Sequence, residues 1–264
     1  EGQVCVGGFG CMDAVSCEGE ACEDTAGCDA LVFGDQGTEV VAQSVGVVEI
    51  EAPEHLNTPE IAISAWVRQL EAGDASIVLG PTWRLEIVEG VFRAQIRACD
   101  GAVLTELSAT EAPVPLGAWV HVALHHGVFE GTRLYINGLK VAGTEGEQEA
   151  LETCDLDPSE DAHSVWLGGT LSATTDAAPP LQGQLRHVSF WSIGALSTWS
   201  VLDIGKGWIQ PGVASWLLGY YPLQQTAPDF VFTRVRDLGP HSRSGIWHGI
   251  GYAWLGDAPQ EACP

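Results

Sequence analysis

Basic side chains are scarce in this 264-residue chain: eleven Lys and Arg stand against 35 Asp and Glu, for a formal net charge of −24. Only Lys140 and Lys206 are lysines. A surface of that sign repels nucleic acid and anionic lipid, which argues against both as partners. It favours cations, cationic partners or neutral ligands. Long apolar runs are also missing. No stretch of about eighteen apolar residues exists, so no membrane-spanning segment is expected. The chain starts at Glu1 rather than methionine, and the expectation is a mature, processed product that is secreted, extracellular or held at the cell surface. There is no Gly-x-Ser-x-Gly elbow for a nucleophilic serine. The glycine pairs lack the following helix that a phosphate cradle needs.

What is abundant points to an exported, turn-rich chain. Eight cysteines and 32 glycines are present. Cys5, Cys11, Cys17, Cys22 and Cys28 crowd the N-terminus with no histidine among them. Zinc ligands come in tighter pairs, so a disulfide knot is the favoured reading over a metal site. Cys99–Cys154 is the expected further bridge, which leaves Cys263 to tie the C-terminus to the N-terminal knot. Residues 1–29 hold few large apolar groups and depend on such bridges.

From residue 30 to 264 the pattern is one of short strands. "IAISAWVRQ" alternates Ile61, Ile63, Ala65 and Val67 against Ala62, Ser64, Trp66 and Arg68. "AWVHVALHHG" places Val120, Val122 and Leu124 on one face, His121, Ala123 and His125 on the other. Glu89-Gly90 and Asn137-Gly138 sit between alternating runs, the signature of two-residue hairpin turns. One short helix is expected over Ser197–Ile204. Many short strands with turns between them predict an all-β fold, a two-sheet antiparallel sandwich.

The segments "ALVFG", "IAISAWVRQ", "PLGAWVHVALHH", "TRLYINGLKVAG", "VWLGG" and "LQGQLRHVSFW" follow one another in order. Together they resemble the laminin-G-like, concanavalin A-like jelly rolls of secreted bacterial proteins. The resemblance implies a jelly-roll sandwich. A C-terminal stretch, "LLGYYPLQQ…VRDLGPHSRSGIWHG", resembles the opening strand of such domains. It implies either a permuted arrangement or the start of a second repeat. Asp237 and Gly245 match an Asp…Gly loop of the family. The family's usual calcium-binding acidic pair is replaced by Arg186 and His187.

Two acidic stretches are candidate sites. "VEIEAPE" resembles the Glu-x-Asp-x-x-Glu strand of retaining β-glucanases, in which two carboxyls about 5 Å apart act as nucleophile and acid/base. Glu49 and Glu54 would carry that role. The middle residue is Glu rather than Asp, and a solvent-facing strand is the plainer reading. The second stretch alternates Asp155, Asp157, Ser159 and Asp161, as oxygen ligands do in calcium loops. It lacks the Gly and the bidentate Glu of an EF-hand, and a solvated acidic loop is the favoured alternative. Calcium is the only cofactor this pattern suggests.

His121 is expected to be a half-buried packing residue rather than a zinc ligand. Ten tryptophans leave room for a carbohydrate platform or an interface with aromatic anchors. Trp66, Trp119, Trp166 and Trp191 are expected in the core by strand pattern, and Trp83 and Trp247 nearer loops or ends. The expected function is a non-enzymatic binding or adhesion module for a glycan or another extracellular component. The alternatives are a subunit of an extracellular assembly, bound to other copies through its N-terminal segment, and a glycoside hydrolase.

Overall fold

A computed structural model describes residues 3–6, 10–13, 31–33, 46–50, 54–148, 150–151, 154, 164–171, 176–192, 216–221, 223, 234–235, 237 and 239–248. The calcium-loop residues Asp155, Asp157, Ser159 and Asp161 lie outside these, as do Cys17, Cys22, Cys28, Cys263 and the helix expected over Ser197–Ile204.

The strands in the first half are β1 (Gln3–Val6), β2 (Gly10–Asp13), β3 (Leu31–Phe33), β4 (Val47–Ile50), β5 (Ile61–Gln69), β6 (Ala75–Leu79), β7 (Trp83–Val88), β8 (Val91–Arg97) and β9 (Val103–Pro113). Those in the second half are β10 (Val120–Gly127), β11 (Gly131–Ile136), β12 (Leu139–Gly143), β13 (Val165–Leu167), β14 (Gly183–Trp191), β15 (Leu217–Tyr221), β16 (Arg234–Val235) and β17 (Gly245–His248). A 3₁₀ turn, Glu54–Leu56, follows β4. β1 and β2 pair with Cys5 opposite Cys11.

The remaining strands form two antiparallel sheets. An eight-stranded sheet runs β16-β17-β4-β13-β6-β7-β8-β9. A seven-stranded sheet runs β12-β11-β10-β5-β14-β15, with β3 also on β14. Alternation explains their packing, because successive side chains point to opposite faces. Ile61, Ile63 and Val67 of β5, Val122 and Leu124 of β10, and Leu185 and Phe190 of β14 meet Val48, Ile77, Leu85, Phe92 and Leu167 of the other sheet in one core. Burial of such side chains contributes roughly 1.5–3 kcal/mol each.

The two expected hairpins form where left-handed backbone is available. Glu89 and Gly90 have φ of 53° and 78°, Asn137 and Gly138 of 49° and 78°. These are the conformations a type I′ turn requires. β14 changes face midway: Leu185 is in the core, but so are Val188 and Phe190. A bulge between Arg186 and Ser189, with His187 at φ 50°, inserts the extra residue that flips the alternation. That bulge also divides the strand's free edge, since β3 pairs with Gly183–Leu185 and β15 with Val188–Trp191.

The C-terminal strands complete this sandwich rather than open a second one. β15 extends the seven-stranded sheet, and β17 lies against β4 in the eight-stranded sheet. The arrangement is therefore the permuted one. Gly245 is needed for it: a Cβ there would come within 2.5 Å of Val48 Cγ1. Trp83 and Trp247, expected near loops or ends, are core residues at 1% and 6% exposure. Their large faces fill the space that the flanking glycines leave open. A Cβ on Gly80 would meet the Trp83 ring at 2.5 Å.

Candidate functional site: the outer face of the eight-stranded sheet

Each sheet has a second face turned away from the core, and the two faces differ in kind. On the seven-stranded sheet the outer residues are aromatic and imidazole-rich. Ala62, Ala123, Tyr135, Trp191 and Leu217 form a cluster with Tyr220 beside it. The His121 ring lies 5.4 Å from that of Trp66, tilted by 56°, and His187 Nδ1 meets Tyr220 OH at 2.5 Å. His121 and His125 are 2% and 1% exposed. Burial pushes the imidazole of His121 down to about 4. The same cause, helped by Arg133 and His126, brings His125 to about 4. Burial, with the charges of Arg186 and His121, takes His187 to about 3. His121 is thus more deeply buried than its sequence pattern suggests. His121 and His125 are enclosed and pack within this face, whereas Trp66, His187 and Tyr220 are half-buried.

The outer face of the eight-stranded sheet is polar and partly open. Strand register lines up one residue from each of seven strands: Ile246, Glu49, Trp166, Leu79, Arg84, Gln95 and Glu106. At a strand spacing of about 4.8 Å this row is about 29 Å long. Val47, Leu79 and Trp166 form its apolar middle, with Ala177 packed on them.

At one end stands Glu49. Its carboxylate accepts from Ser164 Oγ at 2.6 Å and from His248 Nε2 at 2.8 Å. The His248 ring lies 5.8 Å from that of Trp166. Glu49 and His248 side chains are 15% and 32% exposed. Glu49 is therefore on the outer face but mostly enclosed, less wet than a plain solvent-facing strand. Glu54 is placed elsewhere, beyond the end of β4 on the 3₁₀ turn.

At the other end, charged and amide groups are linked across β7, β8 and β9. Gln95 Nε2 donates to Glu106 Oε2 at 2.6 Å. Arg93 pairs with the fully buried Glu86 at 2.8 Å. Arg84 and Arg97 converge on Asp176 at 2.7 and 3.1 Å. Partial burial pushes the Asp176 carboxyl up, but hydrogen bonds and charge from the two arginines outweigh it and hold the group below the usual carboxylate range.

Residues 43–201, more than half of the chain, match the concanavalin A-like lectin/glucanases superfamily. The chain belongs to that superfamily. No curated protein matches it in sequence. Among solved structures, a Bacteroides ovatus protein described provisionally as carbohydrate binding superposes with a TM-score of 0.63 at 17% identity. The match covers 86% of this chain and 60% of that one, so this chain spans about three fifths of that protein's length. A heptameric SAP-like pentraxin from Limulus polyphemus has a TM-score of 0.46 at 13% identity, over 68% of this chain and 82% of that one. The receptor binding domain of botulinum neurotoxin mosaic serotype C/D has a TM-score of 0.46 at 15% identity, over 62% of this chain and 40% of that one. These likenesses are likenesses of fold.

Other positions named from the sequence fall into place around this superfamily scaffold. Cys99 and Cys154 are bonded, with Cα atoms 5.5 Å apart. The bridge pins residue 154 beside Asn57, whose Nδ2 donates to the Cys154 carbonyl at 2.9 Å. Among the described residues no group of three or more His, Cys, Asp and Glu is close enough to hold a metal ion. No helix among them is long and apolar enough to cross a membrane. The register row and the Asp176 clamp have no signal in the sequence. The joins of Leu79 to Trp166, Trp166 to Glu49 and Glu49 to Ile246, and the meeting of Arg84 and Arg97 with Asp176, all bring together residues far apart in the chain, whereas Arg84, Gln95 and Glu106 each look like ordinary surface residues of a hairpin.

Proposed function

We propose that the protein is a secreted, non-enzymatic binding module whose ligand is a glycan on an extracellular surface. The observation that carries this reading is the outer-face row, in which Glu49, His248 and Glu106 place polar side chains along one partly open surface. Sugars present paired hydroxyls that such groups bind by charge-assisted and bidentate hydrogen bonds. Membership of a lectin-containing superfamily supports it, as does the fold shared with a protein described as carbohydrate binding. The disulfide between Cys99 and Cys154 suits an oxidising compartment.

Binding without cleavage is favoured by the position of the carboxyls. Glu49 lies on β4, whereas Glu54 follows that strand on a separate turn. Retaining hydrolysis needs two carboxyls facing one bond.

The test is a glycan array probed with the wild-type protein, Glu49→Gln and Glu106→Gln, the second at a side chain 47% exposed. Expected is binding to a defined glycan class, weakened about tenfold or more in each variant, because a hydrogen bond to a charged group is worth about 1.5–3 kcal/mol. Equal binding by all three proteins, or none across the array, overturns the reading. Release of reducing sugar by the wild type but not by Glu49→Gln would establish catalysis instead.

A further inference from the structure

Arg84 and Arg97 occupy adjacent strands of the outer face, and their side chains are only 13% and 9% exposed. Both reach one carboxylate, that of Asp176, which is itself 65% exposed. Arg84 Nη2 meets Oδ1 at 2.7 Å and Arg97 Nη1 meets Oδ2 at 3.1 Å. Arg97 is locked in this pose by three further contacts. Its Nε and Nη2 donate to the Gly101 carbonyl at 3.0 and 2.6 Å, and Nη1 reaches Gln95 Oε1 at 3.4 Å. The result is a pre-oriented pair of guanidiniums opening onto solvent through the position that Asp176 fills. Planar, bidentate guanidinium groups fit carboxylates in particular.

Asp176 is not required to fasten its loop. The next residues are anchored by other bonds: Ala178 N to Glu86 Oε1 at 2.8 Å, Ser76 Oγ to the Ala178 carbonyl at 2.5 Å, Ser76 N to the Pro179 carbonyl at 2.6 Å, and Leu181 N to the Gly168 carbonyl at 2.8 Å. Leu181 is fully buried. Two cations also face a single anion here, in a chain with only eleven Lys and Arg. Removing a guanidinium pair from water is costly unless a matching anion is supplied.

We propose that Arg84 and Arg97 form a carboxylate-binding site for the uronic-acid residues of an acidic glycan, and that Asp176 is its displaceable resident. The site lies two strands from Trp166, in the same row as Glu49. It rests on the glycan reading above only for the carrier of the carboxylate. In the free protein Asp176 competes with the ligand, and the net charge of −24 opposes any polyanion, so the site depends on the local guanidinium pair and takes a short uronate rather than a long acidic chain. Binding swings the aspartate side chain aside while residues 178–181 stay in place.

The experiment is calorimetric titration with trigalacturonate, maltotriose and acetate against the wild type, Asp176→Asn, Asp176→Ala, Asp176→Asn/Arg84→Gln and Glu49→Gln. Expected is at least tenfold tighter trigalacturonate binding in both Asp176 variants than in the wild type. The gain disappears in the double variant and shrinks as salt is added. Acetate reproduces the order weakly if the carboxylate alone is read, and trigalacturonate exceeds it if the sugar also contributes. No gain in either Asp176 variant, or a gain that survives Arg84→Gln, overturns the proposal. Maltotriose responds to Glu49→Gln and not to Asp176→Asn, so failure of the uronate site and failure of the glycan reading leave different patterns. Melting curves for each variant identify any loss that comes from misfolding, and the two exposed-site Asp176 variants keep the test intact if Arg84→Gln does not fold.

Discussion

Asp237 fixes Tyr220 through the backbone: its Oδ1 accepts the Tyr220 N–H at 2.8 Å and the Gly239 N–H at 2.7 Å. Its Oδ2 accepts the Arg243 N–H at 2.9 Å. The Tyr221 hydroxyl then donates to the Arg243 carbonyl at 2.7 Å. One aspartate, 3% exposed, thereby ties a strand of one sheet to the turn that leads into β17 of the other. The Asp of the family-like Asp…Gly loop is a backbone cap in this protein.

Asp237→Ala should therefore be among the most destabilising single changes in the chain. It leaves three backbone N–H groups without their acceptor. A charge-assisted hydrogen bond contributes about 1.5–3 kcal/mol, and the three are not additive, so a loss of about 3 kcal/mol or more is expected. Asp237→Asn should lose less, because one amide oxygen remains. Urea midpoints of the three proteins decide this, and a shift below about 1 kcal/mol for the alanine variant would falsify the capping role.

Loss of the Cys99–Cys154 bridge should destabilise the fold through the unfolded chain. The bridge closes a separation of 55 residues. The loop-entropy relation gives about 4 kcal/mol for a loop of that length. Cys99→Ser/Cys154→Ser is expected to fold with a lowered melting temperature. An unchanged melting curve under oxidising conditions would contradict the estimate.

The region matched to the superfamily ends at residue 201, but the sandwich does not. Tyr221 and Trp247 belong to the main core at 0% and 6% exposure. A chain that stops at residue 201 lacks β15, β16 and β17 and exposes the edges of β14 and β4. It is expected to be insoluble or rapidly proteolysed, whereas a chain ending at residue 264 resists protease. Equal resistance in both would mean that the C-terminal strands are dispensable.

Stability should fall on mild acidification. His121 and His125 have folded-state values of about 4, below the ordinary histidine value of 6.5, because burial disfavours their charged forms. The unfolded chain then binds more protons than the native one between those values. Full stability is present above about pH 6.5 and declines as pH drops toward 4, by up to about 1.4 kcal/mol per unit per histidine. Melting temperatures measured from pH 7.5 to 4.5 should decrease across that window, and less steeply in His121→Gln. A flat profile would refute the buried, neutral assignment.

Much of the fold was legible in the sequence, and for local reasons. Alternation in "IAISAWVRQ" and "AWVHVALHH" identified the core faces of β5 and β10. The two X-Gly turns announced their hairpins, since residues two apart share a face and Asn and Gly tolerate positive φ; Glu89 adopts it at 53° against its ordinary preference, with its N–H held by Asp74 Oδ1. The positions that departed from expectation were tertiary ones. Trp83 and Trp247 read as peripheral because they lie near loops or ends, yet both belong to the core between the sheets. His121 read as half-buried, and is enclosed.

The candidate site was hardly legible at all. Glu49 stood out as an acidic residue on a strand, but nothing nearby in sequence foretold Ser164 or His248 as its partners. They lie 115 and 199 positions away. The placing of Trp166 in the row of Arg84, Gln95 and Glu106, and the meeting of Arg84 and Arg97 at Asp176, arise the same way, whereas the Arg84–Gln95 pair follows from the Glu89-Gly90 hairpin. By itself the sequence determined the strand pattern, the turns, the sandwich class and the acidic surface, because each depends on near neighbours or on composition. Only the tertiary structure decided which strands lie side by side and in what register. That choice is made by burying two apolar faces against each other, and the polar row on the far side of the sheet is its consequence.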